Sequence, residues 1–127
     1  MEKIEQIHEF APLIYPRLLW IAVGVPYAVI KDMFEDVAPM EENADAQVDC
    51  TRRLKPDVKG GVLIRFESRK AMTQANITHE ATHAAMEIFD YVGAIPDPKN
   101  QEPFAYLCGW VTKCVDEVKN WKVKKRR

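Results

Sequence analysis

The spacing of apolar residues in the first third of the chain predicts three elements and a loop. Apolar residues three apart predict a short helix over residues 2–11, which ends before Pro12. An apolar run between two prolines, residues 17–25, is typical of a buried strand. Helical spacing returns over residues 27–37, and a polar loop follows over residues 39–45.

The rest of the chain predicts two strands and two helices. Residues 46–54 and 61–67 alternate in character, and turn-forming residues between them indicate an antiparallel hairpin. A long helical pattern covers residues 70–92, with Gly93 placed as a left-handed C-terminal cap, and a last helix covers residues 101–122. The predicted order is α-β-α-β-β-α-α, an α+β fold with a three-stranded, mostly antiparallel sheet.

Length and composition fit one domain with a basic end. The 127 residues are 47% hydrophobic and 29% charged, as in ordinary single domains. We expect one domain over residues 1–122 and a basic tail over residues 123–127. Residues 119–127 hold six of the 18 Lys and Arg and none of the 19 Asp and Glu, so the remainder is acidic. The tail carries charge suited to an acidic surface or to nucleic acid. The alternative is a solvated terminus, and nucleic acid is not an expected partner.

Hydropathy and cysteine usage favour a cytoplasmic protein with no membrane partner. The longest uncharged run, residues 18–30, has 13 residues and contains Gly24 and Pro26, whereas a membrane-spanning helix needs about 20 apolar residues. The N-terminus lacks the basic start and apolar block of a secretory signal. The number of cysteines is odd and no two are spaced as CxxC, so we expect free, buried thiols at Cys50, Cys108 and Cys114.

The candidate chemistry lies in the long predicted helix, where an HExxH sequence occurs. His79 and His83 are four residues apart, so both imidazoles lie on one helix face and can bind one metal ion. Glu80, beside them, is suited to deprotonate a metal-bound water. Apolar residues fall on another sector of the same helix, at Ile77, Ala81, Ala84, Ala85, Ile88 and Val92. The alternative is an ordinary solvated helix face with two histidines.

A zinc site with two histidines needs a third protein ligand, and a catalytic site keeps its fourth position open. Glu102 is the first candidate because it lies 19 residues after His83, in the first turn of the next predicted helix. Asp97 is the second candidate, and Asp90 is a weaker one. The alternative role for Glu102 is that of a first-turn acid that favours the helix dipole.

These residues resemble a known family, the HExxH zinc metallopeptidases or zincins. Residues 79–87, HEATHAAME, are similar to the thermolysin-like motif of the gluzincins, whose third ligand is a Glu on the following helix. Residues 100–102 are similar to that group's Asn-Glu pair with one residue inserted. The resemblance is closest to the small, minimal zincins of bacteria and phages. It implies a zincin-like domain with zinc ligands His79, His83 and Glu102 and the general base Glu80.

The resemblance also implies where a substrate would lie. It makes residues 61–67 the edge strand for an extended peptide. Thermolysin-like enzymes have an Asp four residues after the ligand Glu, and this chain has Tyr106 there. The candidates for a transition-state donor are Arg65, Tyr91 and Tyr106.

The sequence therefore predicts a zinc-dependent hydrolase, a metallopeptidase acting on a narrow set of peptide or protein substrates. A zinc-bound water would attack the substrate, with Glu80 as general base. The alternative is a non-catalytic zinc-binding interaction protein on a zincin scaffold.

Overall fold

Residues 6–121 are described by a computed structural model of the chain. The predicted basic tail, residues 123–127, lies outside the described residues, as does the first part of the predicted helix over residues 2–11. The elements in chain order are β1 (Gln6–Phe10), β2 (Leu18–Val23), α1 (Tyr27–Met33), β3 (Ala46–Arg53), β4 (Lys59–Phe66), a 3-10 turn (Arg69–Ala71), α2 (Gln74–Val92) and α3 (Glu102–Lys119).

The sheet has four strands, in the order β1-β2-β4-β3, so the predicted three-stranded sheet is wrong. The extra strand is β1, in the segment predicted as a helix. It pairs antiparallel with β2, from Gln6 opposite Val23 to Phe10 opposite Leu19. Ile7 and Phe10 lie three residues apart, and in a strand this spacing directs them to opposite faces. Each packs against a different core, which a helix could not allow.

The centre of the sheet is a parallel pair, so the sheet is mixed. β2 pairs with β4 in parallel, from Leu18 opposite Gly61 to Val23 opposite Phe66. β4 then pairs antiparallel with β3, which confirms the predicted hairpin. Because β4 lies between two strands, the prediction that residues 61–67 form an edge strand is wrong. Among the described residues, the edges are β1 and β3.

Helices α1, α2 and α3 lie where the sequence predicts helices, but each is shorter than predicted. The Thr73 side chain accepts a hydrogen bond from the Asn76 backbone N–H and caps the start of α2. Gly93 ends the helix in the left-handed conformation, with φ 77°, as predicted. The chain before Thr73 forms the 3-10 turn instead of the first turn of the predicted helix.

None of the helices in residues 6–121 combines the length and the apolar character needed to cross a membrane.

Two cores lie on opposite faces of the sheet. The larger core packs α2 and α3 on one face, where Leu19, Ile21, Val62 and Ile64 point. The smaller core packs α1 and the segment after it on the other face, against Trp20, Ala22 and Leu63. The sheet therefore has a packed core on each face, built from different residues.

Candidate metal site and its cleft

Helix α2 carries the HExxH residues and packs across β3 and β4. Its predicted apolar stripe is buried except at the last position, Val92, which is 37% exposed. His79 and His83 are exposed. The helix therefore separates the residues that pack from the residues that could bind a ligand, as the sequence predicts.

The two imidazoles converge. The Nε2 atoms of His79 and His83 are 3.1 Å apart, and the rings meet edge to face at a centroid distance of 4.7 Å. Tetrahedral zinc with Zn–N bonds of about 2.0–2.1 Å holds two ligand nitrogens roughly 3.3 Å apart. The same separation also allows one ring to donate a hydrogen bond to the other. The pair therefore has the spacing of two ligands on one metal ion.

Glu80 lies next to the pair and is buried, with 8% of its surface exposed. Its carboxylate makes no hydrogen bond to any residue in the described part of the chain. Burial raises the pKa of Glu80, because it disfavours the charged form, while the charges of His79 and His83 act in the opposite direction. A carboxyl group with a raised pKa and free lone pairs is suited to accept a proton from water.

These side chains line a cleft of about 360 Å³ at the edge of the sheet. The cleft has three walls: the loop before β3, the start of β3 and the outer face of α2. Its lining residues are Glu41, Ala44, Ala46, Gln47, Val48, His79, Glu80, His83 and Glu87. Phe34 forms an isolated bridge with Arg53 at the far end of β3. Over residues 46–50, no described strand pairs with the outer edge of β3. The strand beside the histidines is therefore β3 and not residues 61–67.

Glu102 is not brought to the histidines. It is exposed in the first turn of α3, where the neighbouring Phe104 ring packs on Phe89 at 5.2 Å. Phe89 belongs to the buried face of α2 and lies about 9 Å along the helix from His83, at 1.5 Å per residue. Within residues 6–121, no three His, Cys, Asp or Glu side chains are placed to hold a metal ion. Ligation by Glu102 stays a prediction.

The other ligand candidates also lie outside the cleft. Asp97 is exposed in the loop between α2 and α3, where its side chain accepts a hydrogen bond from the Lys99 backbone N–H at 2.9 Å. Asp90 is exposed near the end of α2 and does not line the cleft.

The predicted transition-state donors lie elsewhere. Arg65 shares its face of β4 with Leu63, on the side of the sheet opposite α2. The ring of Tyr91 lies under the Arg17 guanidinium, 4.1 Å from its carbon. Tyr106 is 73% exposed on α3. None of the three lines the cleft with the histidines.

The cleft includes one acidic residue that the sequence analysis missed, Glu41. It belongs to the loop predicted as polar, and only the fold of that loop against α2 brings it to the histidines. Glu87 lies on the same face of α2 as the histidines, four residues after His83. Its Oε1 atom accepts a hydrogen bond from the Cys50 thiol at 3.1 Å.

All three cysteines are free, as predicted, but only Cys114 is buried and Cys50 is exposed. Partial burial of the Cys50 thiol and its bond to the Glu87 carboxylate raise its pKa to about 11. The thiolate is the reactive form, so this exposed cysteine is predicted to react slowly.

We expect iodoacetamide at pH 8 to alkylate Cys50 roughly a hundredfold more slowly in the native protein than in denaturant. Site-resolved mass spectrometry over time gives the rates. Glu87→Gln removes the carboxylate and is expected to increase the native rate severalfold. Equal rates in native and denatured protein would show that the thiol is not held in its protonated form.

Comparison of the chain with protein-family models, with curated proteins and with solved structures finds no match. The resemblance to the zincins therefore stays a prediction from residues 79–87 and 100–102.

Proposed function

We propose that the chain is a zinc-dependent hydrolase, a metallopeptidase that cuts a narrow set of peptide or protein substrates. The observation that carries the proposal is the convergence of the His79 and His83 Nε2 atoms, 3.1 Å apart, beside the Glu80 carboxylate, which has no hydrogen bond to the described residues. Imidazole nitrogens are common zinc ligands, and HExxH on one helix face combines two of them with a general base. The donor chemistry of the pair therefore fits zinc.

Within this proposal the chain's own residues have separate roles. His79 and His83 would hold the metal, which when bound would polarise the scissile carbonyl and make water more acidic. Glu80 accepts the proton of the attacking water and later delivers it to the leaving amine. Burial disfavours the charged form of Glu80 and so raises its affinity for that proton.

The edge of β3 supplies a place for the substrate backbone. Residues 46–50 run beside the histidines, and their outer backbone groups are not paired with another described strand. An extended peptide can add to such an edge through backbone hydrogen bonds, with its side chains alternating toward and away from the cleft. The shallow cleft of about 360 Å³ fits a short stretch of peptide.

The second candidate is a non-catalytic zinc-binding interaction protein. The observation that favours it is the position of Arg65, Tyr91 and Tyr106, none of which lines the cleft to stabilise a transition state. Cleavage of casein or of a peptide library, measured with and without a chelator, separates the two functions. The hydrolase requires zinc-dependent cleavage, whereas the interaction protein binds zinc and cuts nothing.

We expect the purified protein to bind about one zinc per chain, and His83→Ala to lower its zinc affinity by at least about tenfold. Competition with a chromophoric chelator measures the affinity. The matched control is His8→Gln, because His8 lies on β1 against Trp121 and not in the cleft. Full zinc binding by His83→Ala, or an equal loss in the control, would rule out this site.

The third ligand is tested separately. The prediction from the sequence is that Glu102→Gln weakens zinc binding by at least about tenfold. Glu41 and Glu87 are the alternatives to test because both line the cleft with the histidines, although neither is placed among the described residues to complete a group of three ligands. Loss of affinity in Glu41→Gln or Glu87→Gln, with Glu102→Gln unchanged, would move the ligand from α3 to the cleft.

A further inference from the structure

A second cavity lies on the opposite face of the sheet from the histidines. It has a volume of about 460 Å³ and opens where the parallel strands β2 and β4 end. Its walls are largely apolar and include Val25, Pro26, Ile30 and Met40. In open α/β sheets, ligands bind in the crevice beyond the carboxyl ends of the parallel strands, and this cavity has the corresponding place beside β2 and β4. The volume is within the range of about 300–1,000 Å³ of small-molecule sites.

One buried cation lines this cavity. Arg65 is 4% exposed, and its Nη2 atom donates to Asp49 Oδ2 at 2.8 Å. Its guanidinium makes no other hydrogen bond to the residues that the structure describes, and its Nε atom is buried without a partner. Arginine has five N–H donors, and buried donors without acceptors cost free energy. Nε is closed off from the cavity, whereas the Nη1 group is not among the buried atoms and has no acceptor among the described residues, so it is the donor left for a molecule in the cavity.

Arg65 is a charged residue in a strand that is buried on both faces. Among the strands, β4 has the most buried residues, and the residues on either side of Arg65, Ile64 and Phe66, are both buried. A charged side chain in such a strand is costly to bury, since water can no longer solvate it. A few polar groups in an otherwise apolar pocket are the usual means by which a ligand is oriented.

The charges around the cavity select against an anion. The Asp49 carboxylate already offsets the charge of Arg65, and Glu67 adds a second negative charge at the cavity lining. A carboxylate ligand would bring a third negative charge into this partly buried space. A neutral carbonyl oxygen can accept from the guanidinium without that cost, and Glu67 can accept a hydrogen bond from an amide N–H.

We propose that this cavity binds a small uncharged molecule with an amide or carbonyl group on an apolar body, and that Arg65 donates to its carbonyl oxygen. The apolar body packs against Val25, Ile30 and Met40. The cavity shares no lining residue with the zinc cleft, so the proposal does not rest on the hydrolase function.

The test uses three matched probes on the full chain: benzamide, benzoate and toluene. They share a ring and differ in carrying a neutral acceptor, a charged acceptor or none. Backbone amide shifts in ¹⁵N spectra report binding, with Gly24 and Glu67 at this cavity and His83 at the zinc cleft. We expect saturable benzamide shifts at Gly24 and Glu67, with a Kd on the order of 1 mM, and binding at least about fivefold weaker for the other two probes.

Two variants locate the site. Arg65→Met keeps the apolar stem and removes the donors, and we expect it to lower benzamide affinity at least about fivefold. Met40→Trp acts from the loop, outside the sheet, and is expected to block the cavity even where Arg65→Met fails to fold. The proposal is overturned by any of three results. These are no saturable benzamide binding up to about 10 mM, benzoate or toluene binding as tightly as benzamide, or benzamide binding unchanged in Met40→Trp.

Discussion

Glu80→Gln is expected to retain zinc and fold normally, and to lose peptide cleavage by a hundredfold or more, on the order expected for removal of a general base. Glutamine has the size of glutamate but cannot accept the proton from water. The carboxylate it replaces has no hydrogen bond among the described residues, so no other contact is lost with it. Zinc content, thermal unfolding and the rate of casein or peptide cleavage are the measurements.

The matched control is Glu117→Gln, the same change at an exposed position of α3 away from the cleft. It should cleave as fast as the native protein. If Glu80→Gln also cleaves at the native rate, Glu80 is not the base and the proposed mechanism fails, even with zinc bound.

Gly61→Ala is expected to destabilise the fold by roughly 2–4 kcal/mol. A Cβ atom at Gly61 would lie 2.4 Å from the Leu18 carbonyl oxygen and 2.6 Å from the Trp20 ring. Leu18 belongs to the neighbouring strand, so its backbone can move only if the pairing of β2 with β4 is disturbed. Urea unfolding followed by tryptophan fluorescence measures the loss.

Gly109→Ala provides the comparison, because a Cβ atom at this position of α3 meets nothing within 4 Å. Alanine favours the helix over glycine, so this variant is expected to gain roughly 0.5–1 kcal/mol. A Gly61→Ala protein as stable as the native one would show that β2 and β4 are not packed as closely as described.

Elements with one consistent local pattern could be predicted from the sequence. Helix α2 has a continuous apolar stripe and a glycine at its end, and the structure confirms both. The segment of β1 is short, and its apolar residues fit either a helix face or the two sides of a strand. Only pairing with β2, through residues later in the chain, decides between the two.

The sequence contained a pattern that could have identified the edge strand correctly. Residues 62–66 are nearly all apolar, which is typical of a central strand buried on both faces. β3 alternates with polar residues instead, as an edge strand does. The HExxH pair could be predicted because five consecutive residues of one helix determine it. The placement of Glu102 and Glu41 depends on how α3 and a loop pack, which no local pattern contains.

The strand order also affects how the chain becomes folded during synthesis. β4 lies in the centre of the sheet but is the last of its four strands to be made. Until Lys59–Phe66 has left the ribosome, the β1–β2 hairpin and the β3 segment have no strand between them. The nascent chain therefore cannot complete its sheet before this strand is made, and strand edges that are unpaired until then can pair with other chains in competition with folding.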